Sequence, residues 1–127
     1  MLVNTPISLG ELVDKISILI VKQKNITDQN KLNQVNKELG YLQKTLTDHI
    51  TNEKIEIFLN RLIDINSKLW IIEDDIRSCE RRKQFDQKFI ELARSVYFTN
   101  DKRADIKLDI NQKFGSDLVE VKSYDRY

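Results

Sequence analysis

Four cations define the chemistry this chain has to offer: Lys15, Arg94, Arg103 and Lys107. Guanidinium and ammonium groups held on helices can clamp a carboxylate or a phosphate, with Asn66, Asn100 and Glu73 to orient it. A pocket of that kind works by charge and position alone and calls for no cofactor. A second set is acidic. Glu73, Asp74, Asp75 and Glu80 carry the oxygen ligands that Mg²⁺ would need in an all-helical nucleotide hydrolase. Such hydrolases pair two acidic motifs, however, and the segment expected to face this one carries Arg94, Lys102, Arg103 and Lys107. Opposite charges favour salt bridging over metal binding, so no metal ligand is assigned. Covalent chemistry has little to work with. His49 and Cys79, the one histidine and the one cysteine, each continue an apolar helical seam. No CxxC, HExxH, Walker or GxSxG motif is present. No catalytic residue is assigned.

Composition narrows the classes of partner. At 127 residues the chain makes a single domain over 1–127 with room for one real core. Lys and Arg total 21 against 20 Asp and Glu, and the balance is even along the chain. No net field attracts nucleic acid or an anionic membrane. No apolar run approaches the roughly 20 residues that span a bilayer, and MLVNTPISLGE lacks the basic start and apolar run of an export signal. A single cysteine cannot form an internal disulfide, so the reducing cytoplasm is expected.

The elements that must position these residues are helical. One proline and three glycines leave the chain free to sustain long helices. Ser8-Leu9-Gly10-Glu11 matches a capping box and opens a helix with Leu9, Leu12, Val13, Ile16, Leu19 and Ile20 on one broad face. Thr27 or Asp28 caps a second helix whose Leu32, Val35, Leu39, Leu42 and Leu46 pack on one side only. Thr51 or Asn52 caps a third, running to about Lys83, with Phe58, Leu62, Ile65, Leu69, Ile72, Ile76 and Cys79 as its seam. Beside that seam runs a polar line of Asn66, Trp70, Glu73, Arg77 and Glu80, in which Glu73 and Arg77 form a favourable i,i+4 pair.

The fourth helix carries the anomaly. Phe85, Phe89, Leu92, Val96, Thr99, Arg103, Ile106 and Ile110 follow the spacing of a packed seam, yet Thr99 and Arg103 sit where aliphatics belong. Either the helix breaks at Thr99-Asn100-Asp101 or a polar layer lies inside the fold. The unchanged apolar phase at Ile106 and Ile110 favours one continuous or kinked helix. An antiparallel hairpin of helices three and four turning near Gln84 sets Arg94 level with Asp74. It leaves Arg103 to Asn66 or to a carboxylate of the first helix such as Asp14. Gly115 is the expected helix stop, and the tail 116–127 is non-helical and docked along the bundle or onto a second subunit, since Leu118, Val119, Val121 and Tyr124 are too apolar to hang free.

The blocks LWIIEDDIRSCE, FIELARSVYFTNDKRADIKLDIN and GSDLVEVKSY, with the opening PISLGELVDKISIL, resemble an uncharacterised family of short bacterial and phage helical proteins. The resemblance brings no activity. It marks Glu11, Asp14, Lys15, Glu73, Asp74, Arg77, Arg94, Tyr97, Asn100, Asp101, Arg103 and Lys107 as recurring polar positions, implying a shared site or a shared network. The expectation is therefore an all-α bundle of about four long helices, with a long antiparallel hairpin of the third and fourth and an extended tail. Long amphipathic seams and exposed aromatics suit a homodimer. The leading function is a small interaction or accessory protein. Its rival is a cofactor-free enzyme or binding module for a small anionic metabolite, with ligand-binding residues Asp14, Lys15, Asn66, Glu73, Arg77, Arg94, Tyr97, Asn100, Arg103 and Lys107.

Overall fold

A computed structural model describes residues 1–51 and 53–127 and contains four helices with no strand among them. They are α1 (Leu9–Asn25), α2 (Gln29–His49), α3 (Ile55–Arg81) and α4 (Gln87–Lys113). Three starts are capped by side chains. Ser8 accepts the Glu11 amide, Asp28 the Lys31 amide and Asp86 the Phe89 amide. The start of α3 departs from expectation: Lys54 occupies the N-cap position without a side-chain cap. Thr51 precedes it by three residues, and Asn52, the other candidate cap, lies outside the described residues.

The end of α3 is closed by its backbone. The Lys83 amide bonds to the Glu80 carbonyl at 3.1 Å and the Gln84 amide to the Cys79 carbonyl at 2.9 Å. That Schellman geometry places Lys83 at φ 53°, a conformation glycine adopts without strain and lysine does not. α4 ends in the same way, and there Gly115 takes the left-handed position at φ 68° while the Ser116 amide reaches the Asn111 carbonyl. α4 is continuous through Thr99, Asn100 and Asp101.

α1 is the hub. It packs against each of the other helices, whereas α2 lies along α1. One face of α1 sends Leu12, Ile16 and Leu19 against Val35 and Leu39 of α2. Another sends Val13 into a core with Ile55, Phe58, Leu62 and Ile65 of α3 and Ile106 and Ile110 of α4. Each fully buried aliphatic contributes about 1.5–3 kcal/mol, so these two clusters hold most of the fold. The start of α3 meets the end of α4: Phe58 and Phe114 stack edge to face with ring centres 5.9 Å apart. At about 1.5 Å per residue, α3 and α4 are ~15 Å longer than α1. Past Asn66 the only buried residue of α3 is Cys79, and α4 buries nothing before Ile106. No described helix is long and apolar enough to cross a membrane.

Candidate functional site

Between its two apolar faces α1 carries a third stripe, Gly10, Asp14, Ser17 and Val21, spaced four, three and four residues apart and buried throughout. It faces α4 and the middle of α3. Gly10 permits the closest approach. A Cβ there would overlap the main-chain carbonyl oxygen of Lys107, and the Gly10 amide instead donates to the Asn111 Oδ1 at 2.7 Å.

One turn further along lies Asp14, fully buried. Its carboxylate takes the Arg103 Nε at 3.0 Å and the Arg103 Nη2 as well, a two-pronged pair. The Asn66 amide donates to Asp14 Oδ1 at 3.0 Å and to Ser17 Oγ at 2.7 Å, while Ser17 donates to the Asp14 main-chain carbonyl. The Asp14 hydrogen bond, above all, holds the Arg103 guanidinium above its ordinary pKa despite burial. Arg103 thus meets Asp14, one of the two partners its position offered. Asn66, the other, reaches that carboxylate rather than the arginine.

Lys107 is the second cation of the network and is itself buried. Its Nζ lies 2.8 Å from Glu11, 2.7 Å from Glu120 and 3.9 Å from Asp14. Burial pushes its pKa down, but the hydrogen bonds to Glu11 and Glu120 outweigh that and leave it raised. Glu120 belongs to the tail and also pairs with Lys122 at 2.7 Å. The Lys107 bond first, and Lys122 second, hold its carboxyl down at about 2. The tail is tied at three places. Ser116 accepts the Leu9 amide at 3.0 Å, Glu120 sits on Lys107, and the Tyr127 hydroxyl donates to Asp101 while its ring packs on Tyr97 and Phe98. Between these ties the tail and α4 enclose a cleft of about 1150 Å³, lined on the helix side by Tyr97, Asn100, Asp101, Arg103 and Lys107.

The residues singled out in the sequence therefore divide. Asp14, Asn66, Arg103 and Lys107 form one connected network, and Asn100 adds a long 3.4 Å contact to Arg103. Tyr97 lines the cleft. Lys15 points to solvent and pairs with Glu11 at 3.7 Å. Glu73 and Arg77 pair with each other on an exposed surface. Arg94 corrects the expected alignment: it forms no ion pair with Glu73 or Asp74 among the described residues and lies over the Phe98 ring at 5.7 Å. Among the described residues no three His, Cys, Asp or Glu side chains gather as metal ligands, Glu73, Asp74, Asp75 and Glu80 included. Every buried side-chain polar atom described has a hydrogen-bond partner.

Gly10, Ser17, Asn111, Ser116 and Glu120 belong to this network without having been singled out. The spacing of Gly10, Asp14, Ser17 and Val21 was the available signal, a helical stripe of small and polar residues flanked by two apolar ones. No curated protein and no solved structure matches the chain. A family model does, over residues 3–127, and on that extent the chain belongs to a family of unknown function, DUF6165.

Proposed function

We propose that the chain is a small interaction or accessory protein rather than an enzyme, with the network as its internal register and the α4–tail face as its recognition surface. One observation carries the reading. Arg103 and Lys107, the two cations best placed to clamp a ligand, are already neutralised by Glu11, Asp14 and Glu120 of the same chain. A buried ion pair of this kind stabilises poorly but imposes one arrangement of its elements. Here it fixes α1, α3, α4 and the tail together. On the outer surface Tyr97, Phe98, Tyr124 and Tyr127 stand exposed, the aromatic type that anchors protein interfaces. The free, buried thiol of Cys79 supports the cytoplasm as its compartment.

The rival is a pocket for a small carboxylate or phosphate. The cleft supports it, since Tyr97, Asn100, Arg103 and Lys107 line one wall. A thermal-shift screen against sugar phosphates, nucleotides and carboxylic metabolites separates the two. The interaction reading expects no stabilisation by any of them and a loss of several kcal/mol in Arg103→Ala. A ligand that raises the melting temperature of the native chain and leaves Arg103→Ala unmoved would overturn it.

A further inference from the structure

The tail is held to α4 by charge, with its valines left outside. Glu120 pairs with Lys107 of α4 and with Lys122 of the tail, whereas Val119 and Val121 of the same stretch are 46% and 83% exposed. Segments that dock by burying apolar surface do the reverse. The backbone is equally uncommitted: from Asp117 to Tyr127 no main-chain hydrogen bond is made to another main-chain group. The Leu118 carbonyl accepts the Ser116 hydroxyl, and the N–H and C=O groups beyond it, flanked by valines and without main-chain partners, make a template for another extended chain.

The order of side chains indicates which chain. When two copies of Leu118–Tyr124 run antiparallel about a two-fold axis through Val121, Glu120 falls opposite the second copy's Lys122, and Lys122 opposite its Glu120. Leu118 falls opposite Tyr124, and Val121 opposite itself. Both charge pairs are attractive and both flanking pairs are apolar, the combination that stabilises cross-strand neighbours. Moving the axis by one residue to Glu120 sets two carboxylates face to face. Glu120 can serve both roles, because one oxygen holds Lys107 and the other now holds Lys122. In the pair that second oxygen takes the second copy's Lys122.

We infer that the partner of the α4–tail face is a second copy of this chain, joined through an antiparallel pairing of residues 118–124 centred on Val121. The inference rests on the interaction reading and names its partner. Light scattering on the full chain at tens of micromolar should give a dimer, and Val121→Pro, which removes an amide without a main-chain partner at the centre of the pairing, should give a monomer with undiminished helical circular dichroism. Val121→Cys should cross-link to itself under mild oxidation, whereas Val119→Cys alone should not. Val119→Cys mixed with Ser123→Cys should cross-link. The buried Cys79 of the native chain provides the background. A monomeric native chain, a dimer that survives Val121→Pro, or self-linking of Val119→Cys ahead of Val121→Cys would each overturn the proposal. None of these bears on the thermal-shift screen, and a ligand found by that screen would overturn the interaction reading without touching the cross-links.

Discussion

At the scale of single residues, Asp14 and Arg103 decide between a register device and a site. Asp14 is fully buried while Arg103 keeps about a quarter of its side chain exposed, so the aspartate bears most of the desolvation. Removing it leaves Arg103 without its carboxylate and Asn66 with Ser17 as its acceptor, at a cost of about 3–5 kcal/mol. The register reading predicts that Asp14→Ala with Arg103→Met recovers more than half of that loss in urea unfolding, because no unpaired charge remains. Glu120 gives a prediction in pH. Its carboxyl lies below the ordinary 4.5, at about 2, so it contributes stability that is present above about 4.5 and lost as pH falls through 2. The tail tie should therefore hold in mild acid and open near pH 2. Glu120→Gln should show no such transition when tail tyrosine signals are followed by NMR. Tyr127 works at the other extreme. Its hydrogen bond to Asp101 holds the phenol up at about 12, so a tyrosine ionisation should appear near that pH, and Tyr127→Phe should abolish that late step.

At the scale of elements, most helix boundaries were legible because their signals are local. Ser8, Asp28 and Gly115 sit where capping chemistry requires them. Lys83 was not legible, since lysine carries no turn signal; the left-handed φ there is imposed by the need to reverse the chain between α3 and α4. Lys83→Gly should relieve it and stabilise the protein by about 1 kcal/mol, read from the denaturation midpoint. Gly10 is the opposite case. It looked like part of a capping box and proved to be the contact that lets α1 touch the Lys107 backbone. Gly10→Ala should separate α1 from α4 and cost about 1–3 kcal/mol, although alanine is the better helix former.

At the scale of the molecule, legibility fails where positions depend on packing between distant segments. The seam break at Thr99 and Arg103 announced a buried polar layer. Its main acceptor was one of two candidates, and spacing along the chain does not settle which residues meet. Arg94 shows the limit of reading partners from spacing: it lies over Phe98 of its own helix, while Glu73 pairs with Arg77. The same packing divides the molecule energetically. The network and the apolar core bind α1 to the first half of α3 and the last half of α4, from Phe58 and Leu62 to Ile106 and Ile110. Beyond them α3 and α4 have chiefly each other, with Ile71, Phe85 and Ile90 about half exposed. Opening that arm exposes less apolar surface than unfolding the whole chain, so its free energy should fall below that of global unfolding. Hydrogen exchange tests this directly. Amides of 70–96 should exchange as one group ahead of 58–66 and 103–111, and Asp14→Ala should speed the second group while leaving the first unchanged. A single exchange rate across both would mean that the arm and the base open together.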